Sequence, residues 1–332
     1  VVRVSRMIAE EWGERSLTSL GLDRGKFLPL LNLVLPRAAA AHDLGKANDH
    51  FQRRVRRQGD SGAKLTLHEQ LSTWLLISSS ALGDWLCHGL EEEIRHMLAA
   101  AVIGHHLRFA DGAELRFSAS KLRVLMGHPD FQAALAAAAR ELRLPSPAKI
   151  TDIDLDSLDA DERYEEPLQG WLRRAARWHR HAAEEDQRFL AMVKALLIAA
   201  DVAGSALPRL GKTADAWAGQ ALSRVCTPHL LHQVVSRRLE HHTLRPFQES
   251  VRDSQARVTF VRAGCGTGKT VAAYLWAQRR SAGRKLFFCY PTTGTASQGY
   301  ADYVPPNEFK AALVHSRALA DLERLLLGSE ED

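Results

Sequence analysis

The residues best placed to do chemistry begin at Ala38-Ala39-Ala40-Ala41-His42-Asp43-Leu44-Gly45-Lys46, where an alanine run ends on an imidazole beside a carboxylate. The run reads as a buried helix, and a carboxylate buried without a partner is costly, so the pair needs a hydrogen-bond network or a metal. Two more apolar runs end in the same way. Met97 to Ile103 leads into Gly104-His105-His106, and Phe189 to Ala200 leads into Asp201, followed by Val202-Ala203-Gly204-Ser205. Taken singly, each station reads as a hydrogen-bonded core residue, and the paired histidines read as caps at a helix C-terminus. Taken jointly, with His68 as a fourth station, they describe helices converging on one buried cluster of imidazoles and carboxylates. Such a mixed nitrogen and oxygen set suits Mn, Fe, Co, Ni or Zn better than an all-oxygen magnesium cage. His68-Glu69 is not a zinc-protease motif, because Ser72 stands where H-E-x-x-H requires its second histidine.

A second constellation lies near the other end. Arg257-Val258-Thr259-Phe260-Val261 reads as a buried strand leading into Arg262-Ala263-Gly264-Cys265-Gly266-Thr267-Gly268-Lys269-Thr270. Strand, glycine loop, G-K-T and helix is the order that a phosphate-binding loop requires. Gly264, Gly266 and Gly268, with Thr267 between them, let backbone N–H groups face phosphates at the helix N-terminus. Lys269 would reach the β- and γ-phosphates, and Thr270 would hold Mg²⁺. Lys285 to Tyr290 and Ala311 to Ser316 read as two further strands.

The elements that must position these groups are mostly helical. Val1 to Trp12 carries apolar residues at helical spacing, Gly21 and Gly25 break the pattern, and Phe27 to Leu35 resumes it. Arg53-Arg54-Val55-Arg56-Arg57 reads as a solvated basic face, close enough to His42-Asp43 for a phosphate-backbone contact. Helices are expected from Leu67 through Leu76 and from Glu91 to Gly104. Leu144 to Gly170 is rich in Asp152, Asp154, Asp156, Asp159, Asp161 and Glu162 and reads as a solvated acidic insertion. It is not a calcium loop, since Ser157 and Arg163 replace the glycine and glutamate that an EF-hand needs. The helix after it interleaves Trp171 and Trp178 with Arg173, Arg174, Arg177 and Arg180, a face that could stack on single-stranded nucleic acid or simply be amphipathic.

At 332 residues the chain should hold about two domains. Its formal charge of +5 favours a polyanionic partner. The four cysteines, Cys87, Cys226, Cys265 and Cys289, show no C-x-x-C spacing, which argues against a zinc knuckle or a disulfide scaffold and for a reducing, cytoplasmic setting. No apolar run reads as long enough to span a bilayer.

His42-Asp43-Leu44-Gly45-Lys46 with Phe51-Gln52, His68-Glu69, Gly104-His105-His106 and Ala200 to Ser205 together resemble the ordered motifs of an HD-superfamily metal phosphohydrolase. The resemblance implies that His42, Asp43 and Asp201 hold one metal. His68, His105 and His106 would hold a second, with Asp43 bridging the two. It further implies that Lys46 reaches the scissile phosphate and that Ser205 supports the ligands from behind. The family usually offers another histidine on its first helix; residues 1 to 41 contain none, so that ligand is expected upstream.

The glycine loop, with Ala263 in place of the first glycine of the strict pattern, resembles that of superfamily 2 helicases. By the same resemblance, Gln248 in its R-P-F-Q setting looks like the Q motif, which reads the adenine edge. Pro291-Thr292-Thr293 looks like motif Ia, which touches the translocated DNA strand, although Thr292 could equally be a helix cap. An HD phosphohydrolase followed by a superfamily 2 helicase lobe resembles the type I CRISPR-associated helicase-nucleases. This implies an all-α HD nuclease domain over 1–232 and the first part of an α/β RecA-like lobe over 233–332, truncated at both ends with no Asp-Glu box after the glycine loop. The function implied is metal-dependent nicking and degradation of single-stranded DNA, coupled to ATP-driven 3′-to-5′ translocation. A monomer recruited by an RNA-guided surveillance complex is expected, with no membrane partner. Two alternatives are a phosphohydrolase acting on a nucleotide and a catalytically impaired nucleic-acid-binding fragment.

Overall fold

The computed structural model describes residues 1–56, 67–78, 81–106, 121–148, 150–156, 161–208, 225–281, 283–304 and 311–318, with 211, 213, 217, 221 and 321 between them. Arg57, Ser157, Asp159 and the segment after Asp321 lie outside the described residues. The chain forms two compact units, Val1–Gly219 and Gln220–Asp332.

The first unit is a helical assembly around one apolar core. Helix α1 (Val2–Ser19) buries Val4, Ile8 and Leu17, and α2 (Arg24–Ala41) starts where the Asp23 carboxylate accepts the Lys26 N–H at 2.6 Å. Ala38, Ala39 and Ala41 are buried at the end of α2, where their small side chains allow neighbouring helices to approach closely. A 3₁₀ turn (Leu44–Lys46) and α3 (Asp49–Val55) follow. Then come α4 (His68–Ile77), α5 (Ala81–Leu86) and α6 (Glu92–Ile103). After them lie α7 (Pro129–Leu142), α8 (Glu166–His181) and α9 (Glu184–Ala206). Helix α9 packs on α1, α2 and α6.

Two expectations are corrected here, and of two alternatives for α8 one is favoured. The acidic segment is solvated at Asp154 and Asp156 but is not merely an insertion: β2 (Ile153–Asp156) pairs antiparallel with β1 (Lys121–Val124). Leu155, Ile150, Tyr164 and Leu168 are buried. Alternation of apolar and acidic residues is the period-two signature of a half-buried strand, and Asp152 faces out to meet Arg123 at 2.9 Å. The two aromatics of α8 are not free for bases. The rings of Trp171 and Trp178 lie 5.1 and 5.5 Å from that of His96, and the Trp178 indole donates to Glu93. Helix α9, at 23 residues, is long and apolar enough to cross a membrane by length and composition, contrary to the bilayer expectation. Phe189, Leu190, Val193, Leu197 and Ala200 on it pack into the core.

The second unit contains α10 (Pro228–Leu239), α11 (Pro246–Asp253), α12 (Lys269–Arg280) and α13 (Thr293–Tyr303). Its core joins Leu231, Val234 and Val235 of α10 to Val271, Tyr274 and Leu275 of α12, so α10 belongs to this unit and the units meet earlier in the chain than 232/233. The segments 257–261, 285–290 and 311–316 form no ladder among the described residues, where strands were expected. Phe260, Phe287 and Val314 are exposed. An apolar run becomes a strand only when neighbouring strands take its backbone N–H and C=O groups.

Candidate metal centre

The ends of α2, α6 and α9 and the start of α4 bring the polar stations together. His42 caps α2, His68 opens α4, His105 and His106 follow the end of α6, and Asp201 lies in the last turns of α9. Ligand atoms of His42, Asp43 and Asp201 lie within 4.8 Å of one another, and so do those of His68, His105 and His106. Asp43 joins the two groups: its Oδ2 is 3.4 Å from His42 Nε2 and its Oδ1 is 3.4 Å from His68 Nε2. Asp201 Oδ1 is 3.3 Å from His42 Nε2 and accepts from the Ser205 hydroxyl at 3.1 Å. Lys46 Nζ donates to Asp43 Oδ2 at 2.7 Å.

Tautomers at the two most buried imidazoles are fixed by backbone. His42 Nδ1 donates to the Ala39 carbonyl at 2.9 Å and His105 Nδ1 to that of Val102 at 2.6 Å. Both rings therefore present a bare Nε2 to the cluster when neutral. His42 Nε2, His105 Nε2 and Asp43 Oδ1 are buried with no hydrogen-bond partner. His68 Nε2 and His106 Nε2 stand 2.9 Å apart. Burial, aided by the neighbouring His106 and His42, pushes the His105 pKa down to about 4 against the pull of the Val102 carbonyl. Burial likewise pushes His68 to about 4, with Lys46, His106 and His105 adding to it and Asp43 opposing. Burial raises the Asp201 carboxyl, but His42, the Ser205 hydroxyl and Lys46 outweigh it and hold the group below its ordinary value. The residues thus offer neutral imidazole lone pairs and an ionised carboxylate converging on common points, a donor set that divalent transition metals fit.

Sequence reasoning missed the residues that shape the turn. The Ser72 hydroxyl bonds the backbone at His42 and Gly45, and Asn48 Nδ2 donates to the Gly45 carbonyl; Phe51, already part of the sequence motif, sets its ring 6.0 Å from that of His68. The only sequence signal for Ser72 was a polar residue inside an apolar helix.

In the second unit the glycine loop leads into α12 with Gly266 and Gly268 at φ +70 and +85, left-handed values that glycine adopts without strain. Lys269 Nζ donates to the carbonyls of Ala263 and Gly264, and Thr267 Oγ1 to that of Gly264. Thr270 is in the first turn of α12. Gln248 is buried: its Oε1 accepts from Arg245 N–H and its Nε2 donates to the Gly268 carbonyl, so its amide braces the loop. Thr292 caps α13 by accepting from Thr295 N–H; Pro291 beside it is exposed and Thr293 opens the helix.

A helical assembly gathering a His-Asp dipeptide with further histidines and a distant aspartate defines the HD class of domain. Residues 4–208 match the family described as Cas3, HD domain, and the chain belongs to that family. Over 329 residues it is 41% identical to a Myxococcus xanthus (strain DK1622) protein provisionally named CRISPR-associated nuclease/helicase Cas3. That match covers 97% of this chain and 43% of the relative, so the chain spans less than half of that protein's length. No solved structure matches the chain.

Proposed function

We propose that this chain is a metal-dependent DNA nuclease of CRISPR defence, acting on single-stranded DNA. The observation that carries the reading is the pair of three-residue groups, linked by the approach of Asp43 to His68, with three buried ligand atoms left unpartnered. His42, Asp43 and Asp201 would hold one divalent transition ion, and His68, His105 and His106 a second. When bound, paired ions of Mn, Fe, Co, Ni or Zn type lower the pKa of a water and clamp the oxygens of a phosphodiester. Asp43 is the residue that serves both groups. Lys46, now on Asp43 Oδ2, would turn its ammonium to the scissile phosphate, and Ser205 would hold Asp201 in orientation.

The second unit is read as the start of a RecA-like helicase lobe. Gly264, Gly266, Thr267, Gly268, Lys269 and Thr270 would cradle ATP and Mg²⁺, with Gln248 bracing the loop and bordering the adenine. Pro291, Thr292 and Thr293 would meet the strand that a 3′-to-5′ motor draws in. The relative's name, nuclease and helicase in one protein, supports this pairing. An RNA-guided surveillance complex is the recruiting partner and the cytoplasm the setting.

The test is cleavage of labelled single-stranded DNA with Mn²⁺, Co²⁺, Ni²⁺ and Zn²⁺ in turn, comparing the chain with Asp43→Ala. Cleavage is expected to fall by about 10²-fold or more in the variant, with DNA binding nearly intact. Cleavage that survives the substitution removes the assigned site. Cyclic nucleotides that outcompete DNA as substrate replace the nuclease reading with a nucleotide phosphohydrolase.

A further inference from the structure

Ser72 is fully buried on α4, one helical turn after His68. Its hydroxyl donates to the His42 carbonyl at 2.9 Å and accepts from the Gly45 N–H at 2.8 Å. Those two backbone groups bracket Asp43. One hydroxyl, from the helix that opens with His68, therefore closes on both sides of the carboxylate grouped with His42 and Asp201. Thr73, next on the same helix, shows what a helical hydroxyl ordinarily does: it donates to the carbonyl of Glu69, four residues back. Ser72 reaches instead to groups 27 and 30 residues away.

Gly45 allows this approach. A Cβ there would lie 2.1 Å from the His68 carbonyl oxygen and 2.9 Å from Ser72 N. From its other side the turn is held by Asn48 Nδ2, which donates to the Gly45 carbonyl at 2.6 Å. Held this way, Asp43 puts one oxygen 3.4 Å from His68 Nε2 and the other 3.4 Å from His42 Nε2.

We infer that Ser72 is a positioning residue that fixes the spacing between the two metal groups, so that Asp43 serves both. This rests on the metal-binding reading of those groups. Loss of the hydroxyl removes no ligand atom. It leaves a buried carbonyl and a buried N–H unpaired and unties the Asp43 turn from the helix carrying His68.

The experiment titrates Mn²⁺ alone into the purified chain and into Ser72→Thr and Ser72→Val. Threonine and valine have nearly the same shape, so any strain at this buried position is shared and only the hydroxyl differs. Binding is read by calorimetry, and proximity of the ions by the electron paramagnetic resonance of Mn²⁺. The native chain and Ser72→Thr are expected to bind two ions with the broadened signal of an exchange-coupled pair. Ser72→Val is expected to bind the second ion about 10- to 100-fold more weakly and to show the hyperfine-split signal of isolated Mn²⁺. Equal behaviour of the two variants overturns the inference while leaving the metal reading in place. A native chain that binds no Mn²⁺ overturns the metal reading and this inference with it.

Discussion

A neutral imidazole is a metal ligand and an imidazolium is not, so protonation of the cluster decides what it can hold. His105 and His68, pushed by burial to about 4, refuse protons that an ordinary histidine takes up near pH 6.5. Between those values the unfolded chain binds more protons than the folded one. The stability contribution is therefore complete above about pH 6.5 and is lost as the pH falls toward 4. The metal-free chain should show a thermal midpoint that drops steadily between pH 6.5 and 4.5, and an added divalent ion should oppose the drop at its upper end. A scanning-fluorimetry series in matched buffers reads this directly, and a flat midpoint across the window would refute it. Most of the proposed ligands were legible in the sequence because His42-Asp43, His105-His106 and Asp201 each end an apolar run where a polar group has no local excuse; His68, which opens α4, had no such signal of its own. Ser72 and Asn48 were not, because their acceptors are backbone groups reached through the fold or its turn, and residue type alone names no such partner.

Between elements, the decisive contact is the crossing of the Leu44–Lys46 turn over the first turn of α4. Gly45 there has nothing to yield to a side chain, because the atoms facing its missing Cβ are backbone of His68 and Ser72. Gly45→Ala should cost about 3 kcal/mol of stability and also weaken metal binding, since the turn and α4 carry Asp43 and His68. Denaturant melts with and without Mn²⁺ distinguish this from a neutral change; an unaltered midpoint would mean that the crossing is looser than drawn. Helices were readable because their apolar periodicity is written within one segment. The β1–β2 pair was not: Ile153-Asp154-Leu155-Asp156 carries its period of two under a charge run, and its partner lies on the far side of α7. The expected strands at 257–261, 285–290 and 311–316 failed for the converse reason, since local apolar character says nothing about which neighbours complete a sheet.

For the molecule as a whole, the division into two units separates the two chemistries. Every proposed metal ligand, Lys46, Ser72 and the whole match to the HD family over residues 4–208 fall within Val1–Gly219, which has its own core from Val4 to Leu207. The glycine loop, Gln248 and their supporting core fall within Gln220–Asp332. A core that closes within one stretch of chain should fold from that stretch. Residues 1–219 expressed alone should therefore melt cooperatively, bind Mn²⁺ with the affinity of the 332-residue chain, and cleave single-stranded DNA at a comparable rate. Added ATP should change neither binding nor cleavage in that fragment, because nothing in it resembles a nucleotide loop. Circular dichroism, calorimetry and a cleavage time course on the two proteins side by side make the comparison. A fragment that folds and binds metal but no longer cuts would place part of the DNA-binding surface beyond residue 219, in the unit that carries Lys269 and Thr292.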